Sequence, residues 1–137
     1  MFVTAWLGIL TISTGELITA NAGHEYPVFF RSGEGFELVK DKHGLALGAM
    51  EGARYREACW TLNPGDGLFV YTDGVPEATN DREEMFGNDR MLAALNRCIG
   101  QNPQGILKGV REDVDAFVGD APQFDDLTMM AFLYYGA

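Results

Sequence analysis

Leu68-Phe69-Val70-Tyr71-Thr72-Asp73-Gly74 runs from an apolar, strand-forming stretch into an acidic turn that carries a glycine. Near the other end of the chain, Gln123-Phe124-Asp125-Asp126-Leu127-Thr128 does the reverse and leads from a turn into the apolar run Leu127 to Tyr135. If the two strands are neighbours in one sheet, Asp73, Asp125 and Asp126 gather at one sheet edge. Carboxylates so placed suit a hard divalent cation.

Working outward from that stretch, 137 residues of which 47% are hydrophobic give the length and apolar content of one domain, 1–137. The net charge of -10 repels nucleic acid and anionic membrane surfaces and favours cations or basic surfaces as partners. Cys59 and Cys98 stand apart from any ligand-spaced Cys or His, so they read as buried or semi-buried thiols of a reducing, cytoplasmic setting. Met1 to Leu10 is apolar but lacks a basic leader and a cleavage site, and it is shorter than the ~20 residues of a membrane span. A chain that starts in mid-strand suggests the C-terminal part of something longer.

In order, Phe2 to Ser13 predicts a strand buried on both faces, and Thr14-Gly15 turns it into Glu16 to Ala22 as a hairpin. Asn21 to His24 is a loop, Pro27 can start Val28 to Arg31, and Ser32 to Gly35 turns back into Phe36 to Lys40, an antiparallel meander so far. Asp41 to Gly52 reads as a loop tucking Leu45, Leu47 and Met50 under the sheet. Arg56 to Leu62 and Gly67 to Thr72 flank Asn63-Pro64-Gly65-Asp66 as a second hairpin. The polar run Glu77 to Glu84 is a loop or a short helix. Met91, Leu92, Leu95 and Ile99 then share a helix face that Asn88 or Asp89 caps and Gly100 stops, and a second helix runs from Pro103 to Gly119. The last strand, Leu127 to Tyr135, is apolar enough for the middle of a covered sheet. Strands, two amphipathic helices and a final strand predict an α+β fold, helices packed on a mainly antiparallel sheet.

Each candidate residue also has a plain structural reading. Thr-Asp-Gly is an ordinary turn in which Asp accepts backbone hydrogen bonds and Gly takes a positive φ, and Asp125-Asp126 can be a polar turn before a strand. Adjacent carboxylates repel, however, and a bound cation relieves the repulsion. Oxygen-only ligands favour Mg²⁺ or Mn²⁺ over zinc. Two such ions about 4 Å apart polarise a phosphoryl group and acidify a bridging water, so no side-chain nucleophile is needed. None is evident, since the chain has no G-x-S-x-G, phosphate-binding glycine loop or dinucleotide fingerprint. His24 reads either as a loop histidine bonded to backbone or as a general acid or ligand.

A set of motifs in register carries a resemblance: Met1-Phe2-Val3-Thr4, Thr14-Gly15-Glu16-Leu17, Ala20-Asn21-Ala22-Gly23-His24 with Pro27, Leu47-Gly48, Pro64-Gly65-Asp66, Tyr71-Thr72-Asp73-Gly74-Val75 with Glu77-Ala78, Phe86-Gly87, and Gln123 with Asp125-Asp126-Leu127-Thr128. Together they resemble the bacterial serine phosphatase domain of stage II sporulation protein E and the sigma-factor regulator phosphatases, a branch of the metal-dependent protein phosphatase 2C superfamily. The resemblance spans essentially the whole chain. It implies an αββα sandwich with two or more Mn²⁺ or Mg²⁺ ions in a cleft at the sheet edge, hydrolysing phosphoserine or phosphothreonine of small anti-anti-sigma proteins. By motif, Asp73 and Asp125 match metal aspartates and Asp126 a residue supporting them, Gly74 lets the backbone turn close to the metals, and Thr128 supports the carboxylates.

The chain departs from the family pattern at its start. The Gly-Asp-Phe-Tyr-Asp-like strand and the Gly-Asp-Val-Ser-Gly-like turn, which supply further metal carboxylates, have no counterpart here. The expectation is therefore a C-terminal portion of the phosphatase domain, with part of the metal site, weak or no metal occupancy, little activity alone, and exposed apolar surface that favours homo-oligomers. The alternatives are a non-catalytic phosphatase-like binding module in a partner-switching pathway and a structural domain whose aspartates are turn residues.

Overall fold

The computed structural model describes residues 3–122 and 126–137. Its elements are β1 (Ala5–Thr11), β2 (Glu16–Ala22), β3 (Val28–Arg31), β4 (Gly35–Leu38), β5 (His43–Gly44), β6 (Glu57–Thr61), β7 (Gly67–Tyr71), α1 (Gly87–Asn96), α2 (Pro103–Val118) and β8 (Met129–Leu133). They form an α+β fold with two four-stranded sheets. In the first sheet β2 is central, paired antiparallel with β1 and β6 and parallel with the short β5. The second sheet is antiparallel, in the order β4-β3-β7-β8.

Strand alternation explains the layering. Phe69 and Tyr71 face a core shared with Met91, Leu95 and Val110 of the helices, whereas Leu68 faces a second core, with Leu17, Phe29 and Leu62, between the sheets. The same division splits Val28 from Phe29 on the neighbouring strand. The order of layers is thus sheet, sheet, helices, three of the four that the resemblance implies. Among the described residues no helix covers the outer face of the first sheet, where Leu7 and Ile9 are each 61% exposed.

The helix ends follow local chemistry. Asn102 caps α2 by accepting from Gly105 N–H at 2.8 Å, Pro103 sits in the first turn, and Gly119 (φ +62°) ends the helix. The first helix differs from expectation. It starts at Gly87 after Phe86 with no side-chain cap from Asn88 or Asp89, and it ends at Asn96, which leaves Ile99 beyond the helix and exposed. Asn96 instead secures that end by accepting from Phe36 N–H of β4 at 2.9 Å.

Other expectations are corrected by the topology. The β6 and β7 strands are not a hairpin, because β6 pairs with β2 while β7 pairs with β3 and β8; Asn63 to Asp66 is a crossover between sheets. The meander likewise breaks after β2, since β3 belongs to the other sheet. The first strand is at most half-buried, at Ala5, Trp6 and Leu10, and the part of it at Phe2 lies outside the described residues. Leu45, Leu47 and Met50 are exposed rather than tucked under, because that segment is held by its backbone, Leu47 bonding reciprocally to Val3. The last strand is an edge, not a centre, with Met130 exposed, and Cys59 is exposed while Cys98 is buried. An apolar run reports how much of a strand is covered by helices and sheets, and it cannot say on which side a neighbour is missing.

Buried Asp66 holds the crossover. Its carboxylate accepts from Ser32 N–H (2.9 Å), Asn63 N–H (2.9 Å) and the Arg31 guanidinium (3.0 Å). Burial alone would raise this carboxyl, but the two backbone donors and Arg31 outweigh it and hold it below the ordinary range. A carboxyl held lower in the folded state adds stability that is complete above its ordinary value of about 4 and fades as pH falls further. Asp66→Asn should therefore lower the unfolding free energy at pH 7 by about 2 kcal/mol in urea titrations, with a smaller deficit below pH ~4. A pH-independent deficit would exclude the charge as its source.

Candidate metal centre

The end of β7 and the start of β8 meet as the sequence requires for a shared site. Their antiparallel register pairs Tyr71 with Met129, and Thr72 N–H donates to Thr128 C=O at 3.0 Å. Thr128 N–H in turn donates to Thr72 Oγ1 at 3.3 Å. Asp73 thus leaves the ladder at the level of Leu127 and beside Asp126. Both aspartates are exposed at the sheet end, whereas Gly74 and Val75 are buried behind them. Asp125, the other expected ligand, lies outside the described residues.

Gly74 has a steric rather than a conformational reason to be glycine. It does not have a positive φ, in contrast to the turn reading. A Cβ at this position would stand 2.1 Å from the carbonyl oxygen of Asp126. Only a residue without a side chain lets the two segments come so close. The turn is further held by Val75 N–H to Thr72 C=O (3.2 Å) and Glu77 N–H to Asp73 C=O (2.9 Å).

The opposite wall comes from the loop after β2. Thr4, Gly23, His24, Glu25, Thr72 and Asp73 line one cleft of about 180 Å³. Buried Asn21 shapes this loop, accepting from His24 N–H at 2.8 Å while its amide donates to Glu25 C=O and to the Asp41 carboxylate. The His24 ring is held through Nδ1 by Thr4 Oγ1 at 3.2 Å, so among the described residues it bonds to a side chain and not to backbone.

Glu25 lines this cleft beside Asp73, and the sequence reading did not name it. Burial first, then the negative charge of Asp73 and to a lesser extent Glu77, raise its carboxyl above the ordinary value, opposed by His24 and more weakly by His43. Its adjacency to His24 in a loop between two strands was the available signal. The bland turn composition of that loop masked it. Nearby, the buried Tyr71 hydroxyl has no hydrogen-bond partner among the described residues, and desolvation together with the charge of Glu25 pushes its pKa up.

The donors present fit a hard cation in type, since Asp73, Asp126 and Glu25 all offer carboxylate oxygen. In number they form an open set. Among the described residues no three ligand-type side chains close into a cage. The Glu25 carboxyl is raised first by burial and then by the charge of Asp73, so the two carboxylates act on each other at this edge.

Known proteins resemble the chain along nearly its whole length. The family model of stage II sporulation protein E (SpoIIE) matches residues 1–134. Protein IcfG of Synechocystis sp. is 34% identical over 131 residues, an overlap that covers 96% of this chain and 20% of that protein. The phosphatase domain of the cell fate determinant SpoIIE from Bacillus subtilis, presoaked with Mn, superimposes with a TM-score of 0.72 at 18% identity, covering 95% of this chain and 56% of that one. The SiaA-PP2C domain of Pseudomonas aeruginosa gives 0.73 at 23% identity, covering 88% and 46%. At such identities these two matches show a shared fold. The chain spans about a fifth of the curated relative and about half of each solved domain.

Two measurements check this geometry. Gly74→Ala should destabilise the protein by roughly 1–3 kcal/mol in thermal unfolding, because Asp126 C=O must move away; an unchanged Tm would show that the close approach is not a constraint. In an NMR titration, Asp73→Asn should move the Glu25 carboxyl down towards its ordinary value. No movement would separate the two groups.

Proposed function

This chain belongs to the family of stage II sporulation protein E, a family of PP2C-type phosphatase domains, and from that premise we propose that the protein it represents is a metal-dependent protein serine/threonine phosphatase. Its substrate would be a phosphorylated signalling protein of the anti-anti-sigma type, and the chain would supply part of the metal site. The observation that carries the reading is the meeting of Asp73 and Asp126 across Gly74 at the edge where Glu25 and His24 line the cleft. A turn aspartate on its own would need no such convergence.

Asp73 and Asp125 would hold Mn²⁺ or Mg²⁺, with Asp126 supporting them and Glu25 lining the same cleft as Asp73. When bound, such cations polarise a phosphoryl group and acidify water at neutral pH. The protein's own contribution is rigidity and charge. Asp73 is fixed at the end of a buried strand, and the Thr72–Thr128 hydrogen bonds fix its spacing from Asp126. His24, with Nδ1 engaged by Thr4, can exchange a proton with substrate through Nε2. Two ligand carboxylates with water in the other positions is a usual arrangement for Mg²⁺.

One observation favours a second reading, a phosphatase-like module that binds a partner without catalysis. The described carboxylates leave the ligand set open. The parent protein with Mn²⁺ and a phosphoserine protein substrate decides between the two. Asp73→Asn should lower phosphate release more than ~100-fold, since loss even of a residue behind a metal ligand lowers affinity or activity 10–100-fold. Undiminished release would remove Asp73 from the site, and a parent protein inactive before substitution would favour the binding module.

A further inference from the structure

The net charge of -10 conceals a local reversal. Lys42, His43, Gly44, Arg54 and Arg56 line a separate pocket of about 300 Å³. Three of the chain's ten Lys and Arg side chains gather there. Among the described residues none of the three has an ion-pair or hydrogen-bond partner, although Arg31, Arg97, Lys108 and Arg111 are each paired with a carboxylate. Of the acids adjacent in sequence, Asp41 accepts from the Asn21 amide, lies 3.8 Å from His43 Nδ1 and has a side chain only 3% exposed, while Glu57, which follows Arg56 and opens β6, forms no ion pair with it. Unpaired cations held around a concavity carry the electrostatic signature of a site for anions.

The position of this pocket relates it to the carboxylate cleft. The pairing of β5 with β2 sets His43 and Gly44 beside Asn21 and Ala22, and Gly23, His24 and Glu25 follow directly. Three residues of extended chain cover about 10 Å. His43 is also close enough to Glu25 to lower its carboxyl. The Asn21–Asp41 hydrogen bonds tie the two loops together. One extended peptide can therefore reach both places.

We propose that this basic pocket docks an acidic segment of the phosphoprotein substrate, with Asp or Glu about three residues from the phosphorylated side chain. The proposal rests on the phosphatase reading for its substrate and adds what that reading lacks, a means of drawing an anionic partner to an acidic protein. A carboxylate cluster at the cleft repels a phosphorylated peptide until cations are in place. Arg54, Arg56 and Lys42 supply attraction beside it, and the two arginine guanidinium groups suit carboxylates in forked pairs.

Fluorescence anisotropy at low salt tests this with three labelled peptides: a phosphoserine peptide with Glu three and four residues from the phosphate, the same peptide with Gln there, and the Glu peptide without phosphate. The Glu phosphopeptide should bind roughly tenfold tighter than the Gln peptide, the scale of a few exposed ion pairs. Arg54→Ser with Arg56→Ser should abolish the difference, while the double Lys variant should keep most of it. Equal binding of the Glu and Gln peptides, or a preference that survives the Ser variants, overturns the proposal. Arg-dependent binding of the unphosphorylated Glu peptide in a parent protein without phosphatase activity would keep the docking site and discard the phosphatase reading. Phosphate release with no preference for Glu would do the opposite.

Discussion

Strand β7 is buried on both faces, and both hydrophobic cores depend on it. Phe69 and Tyr71 pack towards the helices while Leu68 packs towards the other sheet. A strand clamped in this way cannot slip by one residue without exchanging its two faces, so its register with β3 and β8 is fixed by packing. Asp73, two residues past the strand, inherits that fixity. The rigid end of a doubly buried strand is a good place for a carboxylate that must hold its position against electrostatic repulsion.

The candidate centre is correspondingly a junction of the two sheets. The second sheet brings Asp73 and Asp126 together, with Gly74 admitting the backbone of the other segment. The first sheet brings His24 and Glu25 on a loop shaped by Asn21. Charge is uneven around this junction, with carboxylates at the cleft and unpaired cations beside β5. For the proposed phosphatase such asymmetry would offset the long-range repulsion between an acidic protein and a phosphorylated partner. At the far end Asp66 joins the same sheets by hydrogen bonds, so the sandwich is pinned at both ends.

Much of the fold was legible in particular residues. Thr14-Gly15 marked the β1–β2 hairpin, Pro103 and Gly119 bounded α2, and the apolar run Leu68 to Tyr71 marked a strand. The pairing of the strands was not legible. Asn63-Pro64-Gly65-Asp66 has the composition of a hairpin turn, yet it carries the chain from one sheet to the other. Turn residues state that the chain reverses or bends, and partner choice depends on faces elsewhere in the sequence. Of the candidate centre, the sequence pointed to Asp73, Gly74 and Asp126 because motif and strand end coincide. Glu25 was missed because only the packing of the β2 loop against β7 brings it near Asp73 and Glu77.

The sequence by itself determined the element order, the family resemblance and the acidic strand end at Asp73, since these depend on local propensity and motif. Tertiary structure alone decided which faces are covered, why Gly74 must be glycine, which carboxylates share a cleft, and where the unpaired basic residues collect. The physical reason is range. Propensity and capping act over a few residues, whereas sterics and electrostatics act between whatever groups the fold brings close, however far apart they lie in the chain.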